Sequence, residues 1–164
     1  SVIKVKTNEY VARYRAKIPP DIFAQDVLRL GKRYNDAEIG VEKIMHGHTV
    51  LHILLENNYP NIYYHQDYDN LAGKTIGQPG WTTSGKTKPV MIDTLAIALR
   101  AEDIIIWSEN LLNEASACMW DGQKVITGDY DDELIAVMIA LQLRENAPFG
   151  EDSKRSEIVS YITI

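Results

Sequence analysis

With 164 residues, 45% of them hydrophobic and 24% charged, the chain has enough apolar material for one packed core and is too short for two ordinary domains. A formal net charge of -6 excludes a global field that would draw in nucleic acid, so any DNA contact has to come from a local patch. The single cysteine, Cys118, excludes an intramolecular disulfide and a CxxC metal site and suits the reducing cytoplasm, and no apolar run reaches the roughly 20 residues that cross a bilayer.

Apolar and polar residues alternate over residues 1–6 and again over 10–17, with Thr7-Asn8-Glu9 between them, which predicts a β-hairpin. Pro19-Pro20-Asp21 opens a helix in which Ile22, Phe23, Val27, Leu28 and Leu30 recur at helical spacing, ending over residues 31–35. Ile39-Gly40-Val41-Glu42 is a short strand that runs straight into a second helical pattern over residues 47–58, and residues 61–65 give a further strand. This strand, helix, strand order predicts a parallel pair joined by a crossover.

Residues 66–85 sustain no period and are broken by Gly73, Gly77, Pro79 and Gly80, so a long functional loop is expected there. A helix over residues 88–100 opened by Pro89, a short strand at 104–106 and an amphipathic helix over 108–119 capped by Ser108 follow. Gln123 begins another short strand, ending at Ile126. Residues 131–144 are apolar on nearly all sides and predict a helix buried against the sheet. Pro148, Gly150 and a polar stretch mark a tail, giving one domain over residues 1–149 and a tail over 150–164. The chain opens inside a strand pattern, with neither an initiator Met nor a signal-peptide layout, as expected of a fragment of a longer protein.

A carboxylate at the end of a buried strand has to be offset by a cation or by a proton, and Glu42 stands in that position. Asp131 and Asp132, preceded by Asp129, begin the last apolar helix, where the N-terminus favours negative charge. Carboxylates converging from a strand end and a helix start could hold two Mg²⁺ or Mn²⁺ ions roughly 4 Å apart, activating water and stabilising the leaving oxygen of a phosphodiester. The plainer alternative is that Glu42 pairs with a lysine and the two aspartates cap a helix.

Taken in order, four strings resemble the nuclease domain of bacteriophage large terminases over nearly all of residues 1–149. They are Ile39-Gly40-Val41-Glu42 leading to His46-Gly47-His48; Tyr59-Pro60-Asn61-Ile62-Tyr63-Tyr64-His65; Gly80-Trp81-Thr82-Thr83-Ser84 followed by Thr87-Lys88-Pro89; and Asp131-Asp132 opening an apolar helix. The resemblance implies an α/β fold with an RNase H-like mixed sheet flanked by helices, here lacking its first strand, the opening hairpin matching the second and third. It implies a metal-dependent endodeoxyribonuclease that cuts concatemeric double-stranded DNA by two-metal hydrolysis in the host cytoplasm during phage assembly, with Mg²⁺ or Mn²⁺ as cofactor.

Glu42 matches the family's fourth-strand ligand, and Asp131 and Asp132 match the acidic start of its last helix, so all three are expected to be catalytic and metal-binding. The family's first-strand aspartate has no counterpart in this chain, which is therefore expected to be inactive or weak as it stands. The implied partners are an N-terminal packaging ATPase domain, a portal and a small terminase subunit, with no membrane. Ile44 and Met45 stand where the family often has asparagines, and Tyr130 where it often has a histidine.

Residues 80–87 also satisfy the phosphate-loop pattern GxxxxGK(S/T). Such a loop needs a buried strand directly before it, and Lys74-Thr75-Ile76-Gly77-Gln78-Pro79 does not read as one, so no nucleotide site is expected. Lys74, Lys86 and Lys88, with the hydroxyls of Thr82, Thr83 and Ser84, are instead expected to contact the DNA backbone, although a solvated loop would carry the same residues. His48 and His52 lie four apart with His46 close by, yet lack the glutamate of an HExxH zinc motif, and structural or DNA-proximal roles are expected. Cys118 reads as a core residue, and Trp81 either contacts nucleic acid or packs the loop. Two alternatives stand beside the nuclease: a catalytically inactive DNA-binding or partner-docking module of a prophage remnant, and another RNase H-like enzyme such as a junction resolvase or transposase.

Overall fold

The structure is a computed structural model that describes residues 1–69, 73–121, 124–128, 130–146 and 157–161. The predicted hairpin forms, though shorter than the alternation suggested: β1 (Val2–Lys4) pairs antiparallel with β2 (Glu9–Ala12), and Asn8 sits at φ 54 in the turn, a conformation Asn tolerates. In α1 (Pro20–Arg33) the proline lies in the first turn, where its missing N–H costs nothing, and Phe23, Ala24, Val27 and Leu28 face inward. β3 (Glu38–Val41) is buried throughout and leads within six residues into α2 (Gly47–Glu56). The predicted parallel crossover follows, because Ile39 bridges Ile62 in parallel orientation on the far side of α2.

Where a long loop was expected, β4 (Tyr64–Asp69) and β5 (Lys74–Pro79) instead pair antiparallel into a ribbon. Its residues carry no period because little of it is inside: Lys74, Thr75, Gly77 and Gln78 are exposed, so no core face imposes alternation. α3 (Thr87–Arg100) and α4 (Glu109–Ser116) follow, the latter capped by the Ser108 hydroxyl, which accepts from the Leu111 N–H at 3.2 Å. The strand expected at 104–106 is reduced to a bridge, in which the Tyr10 N–H donates to the Ile105 carbonyl and the Ile105 N–H to that of Asn8. α4 ends earlier than predicted because Met119 enters β6 (Met119–Asp121), antiparallel to β7 (Lys124–Ile126). The predicted start of that last strand at Gln123 lies outside the described residues, as do Asp129 and the breaks at Pro148 and Gly150.

α5 (Asp132–Asn146) is the buried helix its composition called for, with every residue from Glu133 to Leu143 buried. Residues 157–161, within the stretch expected to be a tail, form β8 (Glu157–Tyr161), antiparallel to β1 and parallel to β3. The sheet order is β2-β1-β8-β3, so a strand from the end of the chain lies between the hairpin and β3.

The result is a mixed α/β fold with helices on both faces of this sheet. On one face α1 and α2 pack over Val2, Ile39 and Val41; on the other, α3, α4 and α5 pack with Ile3 and Tyr10. Alternation along the strands sends neighbouring residues to opposite helical layers, which is why Ile39, Gly40 and Val41 of β3 are apolar in succession. No helix is long and apolar enough to cross a membrane among the described residues.

Candidate functional site

The end of β3 is enclosed by close main-chain approaches. The Trp81 N–H donates to the Val41 carbonyl at 2.7 Å and the Lys43 N–H to the Trp81 carbonyl at 2.8 Å, so Trp81 runs alongside Glu42 as a parallel bridge. Two glycines permit this. Gly80 has φ +88, and a Cβ there would stand 2.7 Å from the Val41 carbonyl oxygen; a Cβ on Gly47 would stand 1.9 Å from that of Glu42. Trp81 is 5% exposed and packs edge-on to His65, with ring centroids 5.4 Å apart, and beside Tyr63 at 5.9 Å. It walls the site from inside, and the expected alternative of an exposed aromatic meeting nucleic acid does not hold for it.

Glu42 is 5% exposed and forms no salt bridge among the described residues. Burial raises its pKa above the ordinary carboxylate value; the Thr83 hydroxyl pulls it back, the negative charges of Asp131 and Asp132 push it up, and the Lys88 ammonium lowers it. Thr83 Oγ1 has no partner at ordinary hydrogen-bond distance, so it acts on Glu42 as a nearby dipole and not through a formed bond. The structure therefore brings the three acidic residues singled out in the sequence into one electrostatic neighbourhood.

Asp131 and Asp132 are not bare. Asp131 begins α5, its carbonyl accepting from the Ile135 N–H at 2.8 Å, and its side chain accepts from the Thr127 hydroxyl and from Lys88 Nζ at 3.4 Å. Lys88 Nζ also donates to Thr127 Oγ1 at 3.0 Å. Asp132 accepts from Arg15 at 2.9 Å, reaching over from beyond β2. Behind them lies a second acidic layer. Glu133 accepts from Tyr10 Oη at 2.9 Å, Asn110 Nδ2 at 2.8 Å and Arg13 Nε at 2.8 Å. Glu114 accepts from the Leu134 N–H at 2.8 Å, satisfying an otherwise orphaned donor in the first turn of α5. Thr127, Arg13, Arg15, Glu114 and Glu133 escaped the sequence reading. The signals for them were Thr127 standing four residues before Asp131 and Glu133 following Asp132 directly; Arg13, Arg15 and Glu114 are remote in sequence and meet them only through folding.

The segment before α3 divides into residues turned outward and residues already engaged. Lys74, Thr82 and Lys86 are exposed. Ser84 and Thr87 cap the start of α3 reciprocally: Ser84 Oγ accepts from the Thr87 N–H at 3.1 Å, and Thr87 Oγ1 accepts from the Ser84 N–H at 2.8 Å. Thr83 faces Glu42, and Lys88 is turned inward to Asp131. Of the six residues expected on DNA, Thr83, Ser84 and Lys88 thus have partners or neighbours inside the fold. A phosphate loop has no place here either, because β5 before it belongs to an exposed ribbon and the amides of Ser84 and Thr87 are taken by side chains. His52 Nε2 lies 3.2 Å from Glu56 on the exposed side of α2. Cys118 is half-buried, and desolvation raises its thiol pKa, which fits the expected packing role.

No three of the described His, Cys, Asp and Glu residues converge closely enough to enclose a metal ion. The donors around Glu42 are nonetheless hard carboxylate oxygens of the kind Mg²⁺ and Mn²⁺ take, and a buried carboxylate lacking its own ion pair fits a cation. What separates the two facts is Lys88, whose ammonium is bound to Asp131. No protein-family model, curated protein or solved structure matches the chain.

Proposed function

We propose that this chain is the nuclease domain of a phage-type DNA-packaging terminase, a metal-dependent endodeoxyribonuclease on an RNase H-like scaffold. The observation that carries it is the Glu42 carboxylate, buried at the end of β3 without an ion pair among the described residues, its pKa raised first by that burial and then by the charges of Asp131 and Asp132. The fold reading is supported by the strand order β2-β1-β8-β3 followed by the parallel bridge to Ile62, with helices on both faces. β8 has the direction such a sheet requires of the strand between the hairpin and β3.

Glu42, Asp131 and Asp132 would hold Mg²⁺ or Mn²⁺, which when bound polarises a phosphodiester and lowers the pKa of a water. The rest is done by the chain's own groups. Trp81 and Gly80 seal the apolar side of Glu42, Thr83 places a hydroxyl dipole against it, and Arg15 restrains Asp132. Exposed Lys74 and Lys86 would meet a phosphate backbone, double-stranded DNA in this reading.

The test is nicking of supercoiled plasmid with millimolar Mn²⁺ at high protein concentration. Chelator-sensitive nicking that Glu42→Gln and Asp131→Asn each abolish is the expected result; a folded chain that neither nicks DNA nor binds Mn²⁺ refutes the nuclease. A second reading, a non-catalytic DNA-binding or docking module, is favoured by the pairing of Asp131 with Lys88 and of Asp132 with Arg15. DNA retention that is indifferent to metal and to Glu42→Gln would select it.

A further inference from the structure

Three features surround the carboxylates or lie apart from them: the Tyr10, Arg13, Asn110 and Glu133 network, the exposed apolar side chains around Trp107, and the inward lysine of α3. Both carboxylate oxygens of Glu133 are already partnered within the fold, so that network braces α5, and nothing shows what would cover Trp107. Lys88 is different, because a cation of the chain lies among carboxylates that would otherwise need one.

We propose that Lys88 is the resident cation of the site, holding Asp131 until a divalent ion displaces it. Nζ donates to Thr127 Oγ1 at 3.0 Å and to Asp131 Oδ2 at 3.4 Å, and its charge lowers the pKa of Glu42 while Asp131 and Asp132 raise it. Thr127 completes the arrangement by donating to the same Asp131 oxygen. An ammonium at this place offsets repulsion between the neighbouring carboxylates and occupies an oxygen of Asp131 that a metal ion would need. Lys88 stands at the second position of α3, with Ser84 and Thr87 fixing the turn before it. Its side chain is 30% exposed, so it has a path to leave: swung outward, it joins Lys86 on the face where DNA would lie. Metal entry would thus release a positive charge toward the phosphate backbone, coupling the two events at one residue.

This rests on the nuclease reading, and the experiment keeps the two apart. Mn²⁺ binding to the folded chain is measured by calorimetry and by the paramagnetic resonance of free Mn²⁺, for the wild type, Lys88→Gln and Lys88→Arg. Because the pair is partly exposed, removing the competing charge should tighten Mn²⁺ binding by roughly three- to tenfold in Lys88→Gln, with no tightening in Lys88→Arg. In the wild type, a lysine-acylating reagent read by mass spectrometry should label Lys88 more slowly than Lys74 and Lys86, and Mn²⁺ should raise Lys88 to their rate. Mn²⁺ binding that is equal or weaker in Lys88→Gln, tightening in both variants, or Lys88 labelling unmoved by bound Mn²⁺ overturns the role of Lys88 and leaves the nuclease standing. No Mn²⁺ binding by any of the three overturns both.

Discussion

Gly80→Ala tests whether the enclosure at the end of β3 is as tight as the geometry says. The residue has φ +88, where an L side chain is strained by about 1–3 kcal/mol, and its new Cβ would stand 2.7 Å from the Val41 carbonyl oxygen. That oxygen already accepts from the Trp81 N–H, so the backbone cannot retreat without breaking the bridge; Leu51 and Lys43, 2.8 and 2.9 Å away, have side chains that can move. Overpacking adds about 1–3 kcal/mol, for a total loss of about 2–6 kcal/mol in urea unfolding. Gly85→Ala is the matched control. It lies five residues on, its Cβ would meet nothing within 4 Å and its φ is not positive, so Ala should be neutral or stabilise by about 0.4–1 kcal/mol. Equal effects at the two positions, or a loss below about 0.5 kcal/mol at Gly80, would refute the claim that Trp81 is held against β3 by backbone contact.

Other substitutions probe the same region. The Glu42 pKa is raised in the folded chain above its ordinary value of 4.5, so the folded state keeps its proton more tightly and loses stability as pH rises through the folded pKa. Glu42→Gln should therefore raise the melting temperature of the metal-free chain at pH 7–8, with the gain vanishing below about pH 4.5; a destabilised variant at pH 7–8 would contradict it. Met45, at φ 43 in the turn from β3 to α2, occupies a conformation that Asn adopts more readily, and Met45→Asn should gain about 0.5 kcal/mol in urea unfolding. Glu133→Ala removes the shared acceptor of Tyr10, Asn110 and Arg13 and should cost about 3 kcal/mol, whereas a cost near zero would show those groups rehydrating freely.

Much of the fold was legible because packing writes periodic patterns into the chain. The helical spacing of Phe23, Val27 and Leu28, the unbroken burial of β3 and the all-round apolar character of α5 each correspond to a face, or to two faces, of one core. The β4–β5 ribbon was not legible, since neither of its strands faces a core that would impose alternation. Nor was the place of β8: a short apolar strand near the end of the chain can pair with many edges, and only the two unpaired backbones of β1 and β3, brought side by side by folding, select it.

For the site, the division follows the same physics. Sequence alone determined that Glu42 would end a buried strand and that Asp131 and Asp132 would begin a buried helix, because strand burial and helix polarity are local properties. It also determined that residues 80–85, the end of the aperiodic stretch, would be irregular and rich in donors. Tertiary structure alone decided which donors are free. It turned Trp81 inward, spent Ser84 and Thr87 on a helix cap, laid Arg15 on Asp132, and set Lys88 on Asp131, 43 residues away along the chain. Those pairings depend on distances between elements that no local pattern encodes, and they determine whether the carboxylates meet a metal ion or a lysine.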